Sequence, residues 1–102
     1  MLKRIVKMEF DETKLADFLE SVKGKKEIIQ SFNGCEHLEF WQDQNDPCII
    51  FTYSCWQTED DLNAYRFSQF FKDTWQFTRT CFRRKAEAWS FSEILKSKDE
   101  SN

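Results

Sequence analysis

Apolar and polar residues alternate along three stretches of the chain, and β-forming residues dominate a fourth, so we predict four β-strands. The stretches are residues 2–10, 35–43, 48–56 and 84–91. The third stretch differs because it is apolar on both sides, at Ile49, Ile50, Phe51 and Tyr53. A strand that is apolar on both sides is normally covered on both sides, so we expect two layers to pack against it.

Between the first two strands, apolar residues recur at helical spacing from residue 13 to residue 32. Gly24 falls in the middle of this helix and is expected to fray or kink it. Asn33 and Gly34 follow, and such a pair is typical of a helix end that needs a left-handed residue. We therefore predict a helix that is weakened near Gly24 and stops at Gly34.

A second helix is predicted from Thr58, because Thr58 and Asp61 have the spacing of an N-terminal capping box. Its aromatic residues do not fall on one stripe of the helix surface. We therefore expect a bend near residues 72–74 and a second short helix that continues to about residue 82.

The order β-α-β-β-α-β is that of the ferredoxin-like fold, an α+β arrangement with an antiparallel sheet and helices on one face. We predict one such domain over residues 1–95 and a disordered polar tail over residues 96–102. The helices would leave the other face of the sheet bare. Trp41 and the third strand indicate that a second subunit covers this face, so we expect a homodimer.

The chain of 102 residues is rich in aromatic residues, with 11 Phe, 4 Trp and 2 Tyr. These rings exceed what one small core hides easily, so some should line a cavity or an interface. The formal net charge is −3, and the basic clusters are too small for a nucleic-acid-binding surface. No apolar run reaches the length of a membrane span, and no signal-peptide block is present, so we predict a cytoplasmic protein without membrane contact.

Few residues are available for cofactor chemistry, and we predict no cofactor. The chain has 2 glycines, which rules out a glycine-rich phosphate loop. The four cysteines, at positions 35, 48, 55 and 81, have no CxxC spacing, and the chain has a single histidine. A metal site is therefore not expected, and the cysteines are interpreted as buried apolar residues in a reducing compartment.

His37 is the only histidine, and histidine is the side chain that most often serves as a general base near neutral pH. The alternative, which we favour, is a strand histidine that is partly exposed or hydrogen-bonded to Glu39, Thr52 or a partner chain. Arg66 and Arg79 on the second helix are candidates for binding a carboxylate or phenolate, although a solvated helix face explains both.

The aromatic residues form a second candidate site, a cavity between the sheet and the helices. The rings that would wall it are Trp56, Tyr65, Phe71, Trp75 and Trp89. The hydroxyls of Tyr53 and Tyr65 and the tryptophan N–H groups would supply the polar contacts that orient a flat ligand. The alternative is plain core packing. It accounts for any single ring better than for all of them together, because so many rings pack poorly without voids.

The element order and several residues resemble the antibiotic biosynthesis monooxygenase (ABM) family over residues 2–92. The resemblance is carried by the strand that ends at Trp56, the acidic helix start at residues 59–61, and the segments Leu62-x-x-Tyr65 and Ser68-x-Phe70-Phe71. It implies a homodimer whose two sheets form a shared α/β barrel, with a pocket in each subunit. Known members oxidise quinols or polycyclic aromatics with dioxygen and without metal or flavin. Others degrade haem, isomerise lactones or have no known activity.

The site residues that are typical of the family's haem-degrading members are not found in this sequence. Those relatives use an asparagine on the first strand and, on the second helix, a tryptophan followed by a ligand histidine. Here Met8 and Glu9 occupy the asparagine region, Tyr65 replaces the tryptophan and Trp75 replaces the histidine. We therefore expect no bound haem. Many quinol-oxidising relatives also carry a histidine on this helix, so its absence leaves the catalytic residues open.

Two functions fit the sequence. The first is a cofactor-independent monooxygenase acting on a small aromatic or quinol. In it Trp56, Tyr65 and Trp75 position the ring, and His37 assists proton transfer if its face borders the pocket. The alternative is a non-catalytic dimeric module that binds an apolar metabolite.

Overall fold

The computed structural model describes residues 1–95, so the predicted tail at residues 96–102 lies outside the described residues. Eight elements follow one another along the chain. They are β1 (Leu2–Phe10), α1 (Leu15–Ser21), α2 (Lys25–Gln30), β2 (Cys35–Gln42), β3 (Ile49–Trp56), α3 (Glu59–Arg66), α4 (Gln69–Arg79) and β4 (Phe82–Ser92).

The four strands form one sheet in the order β2-β3-β1-β4, and every neighbouring pair is antiparallel. The first strand therefore lies between the third and the fourth, which is the arrangement expected when two β-α-β units interlock. The predicted ferredoxin-like α+β fold is confirmed. In the part of the chain that the structure describes, no helix is long and apolar enough to cross a membrane.

The first helical segment is divided at Gly24, as the sequence predicts. Gly24 has φ +79°, a left-handed conformation that glycine adopts without steric cost, and it separates α1 from α2. Phe18 of α1 and Ile29 of α2 are both buried, so both short helices remain packed on the sheet despite the interruption.

The second helical segment is divided, as the sequence predicts, but the break lies at Phe67 and Ser68, so its predicted position at residues 72–74 is wrong. The hydroxyl of Ser68 accepts a hydrogen bond from the backbone N–H of Phe71 at 3.1 Å and thereby caps a new helix, α4. The stripe of rings changes direction at this cap because the two helices have separate axes. Helix α4 ends at Arg79, and β4 begins at Phe82, two residues earlier than predicted.

The packed core lies between β1, β3 and the helices. Its buried members are Met8, Phe10, Phe18, Ile50 and Cys81. The rings of Phe10 and Phe18 are stacked with centroids 4.1 Å apart, which holds α1 against the end of β1. This core is concentrated at the Phe10 end of the strand, and it borders a cavity that extends toward the other end.

Candidate functional site

A cavity of about 450 Å³ lies between the sheet and the helices, within the size range of small-molecule sites. Its walls are mostly apolar. Strand residues that face the helices form its floor, among them Val6, Leu38, Phe40, Thr52, Ala86 and Ala88. The two alanines are small, which leaves room above this part of the sheet.

Four aromatic rings form one wall of the cavity as a connected series. Trp56 is stacked on Tyr65, Tyr65 meets Phe71 edge-on, and Phe71 is stacked on Trp75. The three centroid separations are 5.2, 5.1 and 5.8 Å. The structure thus brings together four of the rings that the sequence assigned to a cavity.

The start of α3 fixes where Tyr65 points. Thr58 accepts a hydrogen bond from the backbone N–H of Asp61 at 3.1 Å, which caps the helix immediately after β3. Asn33 donates a hydrogen bond to the Asp61 carboxylate at 3.2 Å. Gly34 has φ +82°, and a Cβ at this position would overlap the Asp61 side chain. The loop before β2 and the start of α3 therefore approach closely, and this approach requires glycine.

Tyr65 is the main polar group of the aromatic wall. Burial raises the pKa of its hydroxyl well above the usual value of 10.0, so the phenol stays protonated at neutral pH. The hydroxyl makes no hydrogen bond to any of residues 1–95. It is not fully enclosed, because none of the fully buried side-chain oxygen and nitrogen atoms in this range lacks a hydrogen-bond partner. It is therefore available as a donor to a ligand in the cavity, and it is a poor general base.

Trp56 is held by its own strand. Its side chain is 1% exposed, and its indole N–H donates to the hydroxyl of Ser54 at 3.0 Å. That N–H is already satisfied, so it does not provide the ligand contact that the sequence analysis expected of tryptophan. The indole offers a flat apolar face instead.

Tyr53, Trp89 and His37 lie on the opposite side of the sheet, so the prediction that Tyr53 and Trp89 line this cavity is wrong. Ile5 is opposite both Tyr53 on β3 and Trp89 on β4, and directly opposite residues share a face. His37 is opposite Cys55, the neighbour of Trp56 that points away from the helices. His37 consequently does not border the cavity.

The uncovered side of the sheet, which we call the outer face, carries a polar and aromatic cluster of its own. The Lys3 amine donates to the Tyr53 hydroxyl at 2.6 Å, and the rings of Tyr53 and Trp41 are stacked with centroids 5.2 Å apart. Glu39 accepts a hydrogen bond from the Trp41 indole at 2.7 Å and is also paired with His37. These bonds lower the pKa of the Glu39 carboxyl. The alternative interpretation of His37, a strand histidine bound to Glu39, matches this geometry.

Sequence reasoning missed Arg4, which lines the cavity from β1. The signal was present, because Arg4 interrupts a strand face that is otherwise apolar at Leu2, Val6 and Met8. Arg66, which the sequence offered as a candidate for binding a carboxylate or phenolate, also lines the cavity. Arg79 does not.

No group of three or more His, Cys, Asp or Glu side chains within residues 1–95 is arranged to hold a metal ion.

Comparison with known proteins gives the fold and the family. The sequence matches the family model described as antibiotic biosynthesis monooxygenase over residues 1–76. No curated protein matches it significantly. A conserved protein of Methanosarcina mazei Go1 superposes with a TM-score of 0.84 at 20% identity, over 88% of this chain and 89% of that chain.

Two other solved structures show the same likeness. An antibiotic biosynthesis monooxygenase has a TM-score of 0.88 at 16% identity, over 93% of this chain and 100% of that one. A protein of Mycobacterium tuberculosis has a TM-score of 0.86 at 7% identity, over 94% and 97% of the two chains. At these identities the likeness establishes the fold alone.

Proposed function

The chain belongs to the antibiotic biosynthesis monooxygenase family, and from this premise we propose that it is a cofactor-independent monooxygenase acting on a small, flat aromatic or quinol substrate. The observation that carries the proposal is the cavity of about 450 Å³ walled by four connected rings, with the Tyr65 hydroxyl unpaired beside it. A flat molecule of two or three fused rings fits such a space, and the phenol offers a hydrogen bond to its oxygen.

In the proposed reaction an activated ring CH₂, as in an anthrone, becomes a carbonyl, or a quinol gains one ring hydroxyl and is oxidised to the quinone. In both cases dioxygen accepts four electrons from the substrate, one oxygen atom enters the product, and the other leaves as water. The substrate must first lose a proton, because the resulting anion is the electron donor to dioxygen. Trp56, Phe71 and Trp75 hold the ring and exclude water from the reacting centre, and Tyr65 donates a hydrogen bond to the substrate oxygen.

The cavity has few side chains that could accept the proton that the substrate must lose. Its lining within residues 1–95 contains no histidine and one carboxylate residue, Glu87, which lies opposite Lys7 in the sheet. His37 is on the outer face and cannot reach a substrate here. The proposed substrate is therefore one that is acidic enough to ionise without a protein base, such as a phenol or quinol with electron-withdrawing ring substituents.

The proposal is tested by oxygen uptake with a panel of reduced quinols and anthrone-type aromatics, in buffer treated with a chelator. We expect one dioxygen consumed for each substrate molecule oxidised, with no peroxide released. Tyr65→Phe should lower the rate, and Trp41→Phe, on the outer face, should not. Absence of uptake above the buffer rate for every substrate would reject the enzymatic function.

A homodimer formed through the outer face is part of the proposal. The outer face exposes large apolar side chains that a monomer would leave in water, among them Trp41, Trp89 and Phe91. A partner sheet packed on this face would cover them. The cytoplasmic location and the absence of haem, of other cofactors and of nucleic-acid or membrane partners stay predictions.

A second candidate function is a non-catalytic dimeric module that binds an apolar metabolite in the same cavity. The scarcity of proton acceptors around the cavity favours it. Saturable binding of an aromatic ligand without oxygen uptake would support this function over the first.

A further inference from the structure

The charged side chains around the cavity are mostly basic, against the sign of the whole chain. The formal net charge of the protein is −3. The charged residues that line the cavity are Arg4, Lys25, Arg66 and Glu87. Three of the four are cations, so an otherwise apolar site has a positive edge.

Arg4 has few partners for a guanidinium on a helix-covered strand face. One of its nitrogens donates to the hydroxyl of Ser90 at 3.0 Å. It forms no ion pair with any of residues 1–95. An arginine carries five N–H donors in a planar fork, and most of those on Arg4 have no acceptor from the protein.

Arg66 approaches the same edge from α3 and likewise forms no ion pair within the described chain. Burial and the positive charge of Arg66 both lower the pKa of Arg4, which shows that the two guanidiniums act on one another. Two like charges beside an apolar cavity repel, and an anion between them would relieve the repulsion.

We propose that the cavity selects aromatic molecules that carry an anionic oxygen group, such as a carboxylate, a sulfonate or an ionised phenol, and that Arg4 and Arg66 bind this group. The inference deepens the proposed function, because it takes the same cavity as the ligand site and names the class of ligand. The rings bind the flat part, and the guanidinium forks match a group with two or three oxygens.

The alternative explanation is that both arginine side chains are simply hydrated by solvent and bind no ligand. That explains Arg66, which is exposed, better than Arg4, which is half-buried on a face shared with Val6 and Met8. The anionic class also suits the chemistry proposed above, because a positive edge favours the deprotonated form of an acidic substrate.

The test uses two fluorescent probes that differ only in the presence of an anionic sulfonate group. One is 8-anilinonaphthalene-1-sulfonate, and the other is the neutral N-phenyl-1-naphthylamine. Equilibrium affinities for both are measured by titration with the wild type, Arg4→Gln, Arg66→Gln and the control Arg79→Gln. Arg79 is an exposed arginine of α4 that does not line the cavity. No turnover is needed, so the result does not depend on whether the protein is an enzyme.

We expect the wild type to bind the sulfonate about tenfold more tightly than the neutral probe, the size of one good charge-assisted hydrogen bond. Each cavity variant should lose most of this preference while binding the neutral probe within about twofold of the wild type, which also shows that the cavity is intact. Arg79→Gln should behave as the wild type.

Equal affinities for the two probes in the wild type would overturn the inference, as would a preference that survives both cavity variants or disappears in Arg79→Gln. If Arg4→Gln also loses the neutral probe, its fold is disturbed and Arg66→Gln alone decides. Oxygen uptake without an anion preference would leave the proposed function standing while rejecting this inference. An anion preference without oxygen uptake would do the reverse.

Discussion

The indole of Trp56 lies stacked on the phenol ring of Tyr65, with centroids 5.2 Å apart and planes 22° from parallel. This contact joins the last residue of β3 to the last turn of α3. It therefore supports the fold and shapes the cavity wall at the same time, and the two roles can be separated by substitution.

Trp56→Ala should lower the free energy of unfolding by about 3–5 kcal/mol, because it removes a fully buried ring and leaves its neighbour Tyr65 without support. Tyr65→Phe keeps the ring and removes only the hydroxyl, which has no protein partner within residues 1–95. It should change stability by less than about 1 kcal/mol. Urea unfolding at neutral pH measures both, and equal losses in the two variants would contradict this division of roles.

Gly34→Ala should destabilise the protein more than Gly24→Ala. Both glycines have positive φ, so alanine strains the backbone at each by about 1 kcal/mol. Only at position 34 would the added methyl meet another group, the Asp61 carboxylate, whereas Gly24 has open space around it. Thermal unfolding gives the comparison.

The double variant Gly34→Ala with Asp61→Gly is the matching check, because glycine also removes the Asp61 Cβ that takes part in the overlap. It should be more stable than the sum of the two single changes, because the overlap is gone. Strict additivity would show that the cost at position 34 comes from the backbone alone.

The Tyr53→Phe variant has Tyr65 as its only tyrosine, since the chain has 2. Burial raises the pKa of Tyr65, so absorbance near 295 nm should show no phenolate in the folded variant at pH 10 and about half ionisation in urea. The contribution of the Tyr65 phenol to the free energy of unfolding is fully present below pH 10, which is the usual pKa of the phenol in an unfolded chain. This contribution decreases as the pH rises above that value. Phenolate formation in the folded state at or below pH 10 would show that the hydroxyl is solvated.

Haemin should not bind as a ligated cofactor. Within the described chain the cavity lining offers only Met8 and Tyr65 as residue types that ligate haem iron. Met8 is buried in the core, and Tyr65 is held protonated. A haemin titration should give no sharp Soret band. A band that saturates at one haem per subunit and is lost in Cys81→Ala or His37→Ala would return haem chemistry to consideration.

Light scattering at micromolar concentration should give twice the chain mass of 12.4 kDa. Trp89→Glu places a charge on the outer face and should yield the monomer. Phe77→Glu is the control, because Phe77 on α4 is equally exposed, 42% against 41%, but lies away from that face. A stable interface of this kind should bury at least about 1,200 Å² in total. Dissociation by the Phe77 change alone would move the interface to the helices.

Alternation in three strands and the β-forming residues of β3 were sufficient to predict the four strands and their ferredoxin-like order. The dense rings near Trp56 and Tyr65 were sufficient to predict a cavity wall. The side of the sheet was harder to assign for β4. Its larger residues, such as Trp89, look like the buried set, but the helices lie over Ala86 and Ala88. A cavity requires small residues on its floor, and single-strand patterns cannot show which set faces a void.

The helix boundary at Ser68 and the importance of Arg4 were missed for related reasons. A serine inside a helical pattern is read as a tolerated residue until the chain turns and uses its hydroxyl as a cap. From the sequence, Arg4 is a single charged residue on an otherwise apolar strand face. Its role becomes apparent only in the structure, where Arg66 of α3 lines the same cavity.

The strand registers have one more consequence, which concerns how the chain can be changed. In β1, in β3 and in β2 from Leu38 onward, the even-numbered residues face the helices and the odd-numbered residues face outward. The same holds for β4 from Ala86 onward, after the register shift that places Arg84 opposite Glu9. Different residues of the same strands therefore determine which ligand binds and how the subunits pair. A library that randomises only odd positions other than Glu87, which also borders the cavity, should yield new assembly states with ligand affinity unchanged. Deleting one residue within a strand should exchange the two roles and destroy both.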